Sequence, residues 1–166
     1  MNKPILPALL AAVALVAAAC SSGGTKSAGG APTVSPSASS GGPAIVAVAA
    51  TPLGTILVDG AGRTLYRFVA DTGASSTCYA ACAATWPPLL THGAPTAKLG
   101  ATASDLGTTT RTDGTTEVTY AGHPLYYYVA DTKPGAITGQ GLNQFGGLWY
   151  VLSPKGTAIT TAPPSA

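Results

Sequence analysis

Hydrophobic positions along the middle of the chain fall into short runs separated by turn residues. Ile45 to Thr51 is small and β-branched, Pro52-Leu53-Gly54 breaks it, Thr55 to Asp59 follows, Gly60-Ala61-Gly62 turns, and Arg63 to Val69 makes a third run. Runs this short, bounded by glycine, proline and aspartate, predict a three-stranded meander. The punctuation then returns as Thr108 to Thr112, an Asp113-Gly114 hairpin signal, Thr115 to Tyr120, a turn at Ala121-Gly122, and His123 to Val129.

This recurrence is a sequence repeat. Leu65-Tyr66-Arg67-Phe68-Val69-Ala70-Asp71-Thr72 comes back sixty residues later as Leu125-Tyr126-Tyr127-Tyr128-Val129-Ala130-Asp131-Thr132, and positions 54–72 share eleven identities in nineteen with 114–132. Each copy runs on into a loop that ends at a tryptophan, Trp86-Pro87-Pro88-Leu89 in the first and Trp149-Tyr150-Val151-Leu152 in the second. The first loop carries Cys78 and Cys82 and predicts a helical turn between Thr77 and Ala84; the second is glycine-rich. The expected fold is all-β, with two tandem repeats (about 44–90 and 106–153), each a short meander plus a loop leading to a Trp strand. The repeats are expected to pack as one small pseudo-twofold domain over 44–153, followed by a frayed tail at 154–166.

Alternation sorts the motif strand, since neighbours on a strand point to opposite faces. Tyr66, Phe68 and Ala70 share a face with Tyr126, Tyr128 and Ala130 in the other copy, and Leu65 and Val69 oppose them with Leu125 and Val129. Both faces are expected to be buried, which places the strand in the middle of a packed sheet.

The start of the chain decides the compartment. Lys3 is followed by an apolar run from Ile5 to Ala19 and then Cys20, the pattern of a secretory signal over 1–19, too short for an ordinary spanning helix. Val16-Ala17-Ala18-Ala19-Cys20 resembles a bacterial lipobox, which implies a lipidated Cys20 as the mature N-terminus; an ordinary signal peptide cut nearby is the alternative. Residues 20–43 are almost wholly Ser, Gly, Ala, Pro and Thr, a flexible tether. From Ala44 onward six basic residues balance six acidic ones, so the domain has no clustered basic face for nucleic acid. With Cys20 spoken for, Cys78 and Cys82 remain as one pair, expected to oxidise in an exported chain.

Tyr66-Arg67-Phe68-Val69-Ala70-Asp71 and Tyr126-Tyr127-Tyr128-Val129-Ala130-Asp131 both satisfy the pattern Tyr-x-[Phe/Trp/Tyr]-x-x-Asp. With Gly62-Arg63-Thr64-Leu65, Ser76-Thr77-Cys78, Trp86-Pro87-Pro88-Leu89 and Gly139-Gln140-Gly141-Leu142 around them, the chain resembles the bacterial lipoproteins named for that motif, the secreted repeat of unknown function. The resemblance spans roughly Ile45 to Ser153 and implies export and repeat architecture, with no activity, cofactor or catalytic residue attached to it.

The residues themselves suggest structural uses first. Asp71 and Asp131 end the motif strands and are placed to cap the following turns, with a symmetric ligand or acid-base pair as the alternative. Tyr66, Phe68, Tyr126 and Tyr128 read as core rather than as a stacking platform, and their hydroxyls need partners, for which the aspartates are candidates. A haem-attachment reading of the cysteines fails because Ala83 follows Cys82 where a histidine is required, and a redox motif prefers two intervening residues to three. His92 and His123 are the only histidines, too few for an obvious metal site, and no Gly-x-Ser-x-Gly marks a nucleophile. The function expected is therefore non-enzymatic, without cofactor or metal: an exported module held on the cell membrane by lipid, binding an unknown envelope protein or ligand. Two alternatives stay open, an accessory of envelope redox or metal chemistry, and a cell-wall carbohydrate-binding module using Trp86 and Trp149.

Overall fold

The computed structural model describes residues 41–162, so the signal sequence, Cys20 and most of the tether lie outside the described residues. Strand β1 (Ile45–Thr51) pairs antiparallel with β2 (Gly54–Asp59) in the register Thr51 to Gly54 through Val46 to Asp59. In the second repeat β5 (Leu106–Thr110) and β6 (Thr116–Tyr120) make the equivalent hairpin. Ala121 and Gly122, both at positive φ, then turn β6 into the short β7 (His123–Pro124). The two predicted hairpins are therefore present.

The third strand of each predicted meander behaves differently. Residues 63–65 begin to follow β2, with the Leu65 N–H donating to the Leu57 carbonyl and a single bridge from Val58 to Thr64. At Tyr66 the chain leaves its own hairpin. β3 (Tyr66–Phe68) pairs instead with β9 (Gly147–Val151) of the other repeat, and Tyr66 and Tyr126 exchange backbone bonds of 2.8 and 2.9 Å. The exchange places Tyr66 and Phe68 against tryptophans that their own hairpin does not supply. β4 (Thr96–Ala97) adds in parallel to β1, and β8 (Asn143–Gln144) completes a third small sheet with β9 and β3.

The period of two divides the interior into two apolar clusters. Ala47, Ile56, Tyr66, Tyr126 and Val151 face one; their chain neighbours Val46, Leu57, Leu65, Leu125 and Leu152 face the other. Expected burial on both faces holds at Leu65, Tyr66, Leu125 and Tyr126, all 0 % exposed. It fails at Val69 and Val129, 45 % and 48 % exposed, and at their exposed neighbours Ala70 and Ala130, because the strand ends at Phe68 in one copy and all four residues stand in turns.

Two further differences concern the loops. The helical turn falls at Ala81–Thr85 (α1), and Trp86 follows it directly rather than sitting on a strand, whereas Trp149 lies in β9. The segment after Ser153, expected to fray, returns to the domain: the Ile159 N–H donates to the Val151 carbonyl, and Gln140 Nε2 donates to the carbonyls of Ile159 and Thr161.

Candidate functional site

The repeated tyrosines and aspartates meet, and they meet across the repeats. The Tyr66 hydroxyl donates to Asp131 Oδ2 at 2.6 Å, and the Tyr126 hydroxyl donates to Asp71 Oδ2 at 2.6 Å. The other oxygen of each aspartate caps its own turn, as expected. Asp71 Oδ1 accepts from the N–H and hydroxyl of Thr77, and Asp131 Oδ1 accepts from the N–H and hydroxyl of Thr138. Burial, followed by the adjoining Asp131, holds the Tyr66 phenol far above its ordinary pKa; burial, Glu117 and Asp71 do the same at Tyr126. Both phenols stay protonated and act as donors. With all four carboxylate oxygens engaged by the chain itself, this pair holds no free base.

A double-mutant cycle tests the crossed wiring. Tyr66→Phe leaves Asp131 short of a donor and is expected to cost about 1.5–3 kcal/mol in urea unfolding, the range for a hydrogen bond to a charged group. Tyr66→Phe should couple strongly with Asp131→Asn and be nearly additive with Asp71→Asn. Stronger coupling to Asp71 would refute the crossed arrangement.

Around this pair lies an aromatic stack. Phe68, Trp149, Trp86 and Tyr128 follow one another with ring centroids 4.1, 4.0 and 4.3 Å apart, and Tyr66 and Tyr126 meet the two indoles edge-on. Gln144 bonds both indole N–H groups, Trp86 through its side chain and Trp149 through its carbonyl. The chain covers the stack closely: a Cβ at Gly139 would sit 2.7 Å from Trp86 Cη2, and one at Gly147 would sit 2.8 Å from Phe68 Cε2. Trp86 and Trp149 are 0 % exposed. They therefore offer no face to a sugar, which removes the support for the alternative of a carbohydrate-binding module using these two residues. Cys78 and Cys82 form the expected disulfide and pack in the same cluster.

Sequence reasoning missed a second polar group beside the first. Arg111 and Glu117 are buried and joined by an Nη1 to Oε2 bond of 2.7 Å. Arg111 also donates to Ser76 Oγ and to the Cys78 carbonyl, and Ser76 Oγ lies 2.7 Å from the Tyr126 hydroxyl. Burial pushes Glu117 up to about 8 although Arg111 opposes it, while the bond and charge of Glu117 outweigh burial to raise Arg111. A signal was present in the repeat: Glu117 aligns with Leu57, so an acid stands where the first copy has a buried leucine.

Two more groups lie apart. Tyr127, whose hydroxyl bonds Asp59 Oδ2, has Arg63 over its ring at 4.0 Å. Arg67 Nη1 lies 3.1 Å from His123 Nε2, and burial followed by the Arg67 charge holds His123 below its ordinary pKa. Among the described residues no group of three or more His, Cys, Asp or Glu is gathered to hold a metal ion, and no helix is long and apolar enough to cross a membrane.

A family described as a secreted repeat of unknown function matches the chain twice, at residues 47–90 and 107–153. The two matches coincide with the two hairpin-and-tryptophan units described above, and the Tyr66 to Tyr126 exchange and the β3 to β9 pairing are among the backbone contacts that join them. No curated protein and no solved structure gives a significant match. The matched segments together span more than half of the sequence, and the chain belongs to this family of secreted repeats.

Proposed function

We propose that the protein is a lipid-anchored, non-catalytic interaction module of the bacterial envelope, presented on the outer face of the membrane by residues 20–43. One observation carries the non-catalytic part. The most strongly repeated polar residues, Tyr66, Asp71, Tyr126 and Asp131, are consumed by bonds inside the chain. Recurrence of these residues is then explained by folding, and recognition falls to the surface. The anchor is supported by the run from Ile5 to Ala19 ending at Cys20. Each buried methylene of an acyl chain adds about 0.8 kcal/mol of membrane affinity, so several chains hold a protein almost permanently.

Cys20→Ala tests the anchor. The variant is expected to move from the membrane fraction to the soluble exported fraction, and the wild-type N-terminal peptide should carry acyl mass. A Cys20→Ala variant that stays tightly bound to membranes would sink this assignment.

A second reading, an accessory of envelope redox chemistry, draws on the placement of the Cys78–Cys82 bridge in the same cluster as the aromatic stack. The sulfur-bearing residues are 1 % and 7 % exposed, which favours an inert bridge. Reduction under mild thiol conditions, followed by thiol alkylation and mass spectrometry, separates the two: rapid cycling favours the redox accessory, resistance the structural bridge.

A further inference from the structure

The equivalent outer strands of the two repeats differ in what lies beside them. In β1 the even-numbered residues point away from β2, because Leu57 spends its own N–H and carbonyl on the far side of that strand, on Leu152 and Leu65. β4 meets part of this edge, with the Thr96 N–H donating to the Ala44 carbonyl and the Lys98 N–H to the Val46 carbonyl. In β5 the corresponding residues are Leu106, Thr108 and Thr110. Val118, opposite Thr108, uses its backbone on Leu89 and Leu125, and Arg111 closes the hairpin onto Thr115. The ladder bonds of β5 to β6 therefore run through Gly107 and Thr109.

The Leu106 N–H is turned back onto the Ala103 carbonyl. Among the described residues nothing pairs with the Leu106 carbonyl or with the backbone groups of Thr108 and Thr110, and both threonines are exposed. Natural sheets blunt such edges with lysine, proline, bulges or a covering segment. Leu106-Gly107-Thr108-Thr109-Thr110 has no charge and no proline, and its register with β6 is unbroken.

We infer that β5 is a pairing edge and that its partner is β5 of a second copy of this chain, antiparallel and centred on Thr108. In that arrangement each Thr108 N–H donates to the Thr108 carbonyl of the other copy, and each Thr110 N–H donates to the other Leu106 carbonyl. Charge favours a copy as occupant. The strand carries no charge, so two copies meet without like-charge repulsion, and the antiparallel register keeps the two Asp105 residues at opposite ends of the pairing. The contact is small, and the anchor offsets this by confining copies to one surface, where a tethered pairing gains effective concentration. The inference rests on the interaction module proposed above and names its partner.

The test uses the full acylated chain reconstituted in liposomes and extracted into mild detergent, with mass measured by native mass spectrometry. Wild type is expected to show a dimer, with slowed amide exchange at Thr108 and Thr110. Thr108→Lys and Thr108→Glu, at an exposed position that leaves the β6 ladder intact, should each lose the dimer because they set like charges directly opposite. Mixing the two variants should restore it as a heterodimer. A monomeric wild type, or charge variants that dimerise as wild type does, would overturn the pairing. So would amide protection in the intact envelope that both charge variants retain, since another chain would then occupy the edge. Loss of the anchor in Cys20→Ala and loss of pairing in the charge variants are separate readouts, so either proposal can fail alone.

Discussion

Trp149→Ala is expected to lower the unfolding free energy by about 3–5 kcal/mol, the range for removing a large aromatic from a core that cannot close the space. The indole is fully buried between Phe68 and Trp86, meets Tyr126 edge-on, and donates to the Gln144 carbonyl. Removing it takes the stacking partner from Phe68, strips one face of Trp86 and takes the indole donor from the Gln144 carbonyl. It also weakens the seam between repeats, because Trp149 faces Phe68 of the first repeat across the β3 to β9 pairing. A domain of this size carries total stability of only about 5–15 kcal/mol, so the variant should sit near the unfolding midpoint at modest urea. Phe145→Ala is the contrast. Phe145 is 46 % exposed at the tip between β8 and β9, and its loss should change stability by less than about 0.5 kcal/mol, as for surface positions generally. Urea unfolding followed by far-ultraviolet circular dichroism measures both. Equal losses for the two aromatics would mean that the stack is not the centre of the core.

The contrast shows what the sequence makes legible. Hairpins were readable because local chemistry decides them: Pro52-Leu53-Gly54 and Ala121-Gly122 turn the chain where their backbone preferences say. The two-sided burial of Leu65 and Tyr66 was readable from alternation, and the capping role of Asp71 from its place at a strand end. The destination of the motif strand was not readable. A strand apolar on both faces can stay with its hairpin or cross to another repeat, and only the positions of Trp86 and Trp149, a tertiary matter, decide between them. The tail at 154–161 was hidden for a related reason. Its Pro, Thr and Ala residues have no pattern of their own, and they are held by Gln140 and Val151, residues elsewhere in the repeat. Glu117 lay in plain view, one acid in an apolar column of the repeat, but its partner could not be inferred because Arg111 aligns with Thr51, which carries no charge.

That unmatched pair gives the other large effect. Arg111→Ala is expected to cost about 3–5 kcal/mol above pH 8, where Glu117 is ionised and the change strips a buried ion pair of one partner. The guanidinium holds Glu117, Ser76 and the Cys78 carbonyl together, so its removal takes a donor from three acceptors at once. Replacing both residues by apolar ones, Arg111→Met with Glu117→Leu, should recover most of the loss, because the second repeat then has the buried leucine that the first has at Leu57. The pH dependence identifies the acid. Burial raises Glu117 in the folded chain to about 8 from an ordinary 4.5, so between those values the unfolded chain releases a proton that the folded chain retains. The unfolded state binds fewer protons there, and this group's contribution to stability must fall as pH rises through that window. Glu117→Gln cannot titrate and should lose this slope, so the stability of wild type relative to Glu117→Gln declines from pH 5 to pH 8. Arg111→Ala removes the charge that opposes burial, which raises the Glu117 pKa further and carries the decline to higher pH. Parallel curves for wild type and Glu117→Gln across the window would show that Glu117 is ionised in both states, and the pair would then be an ordinary buried salt bridge.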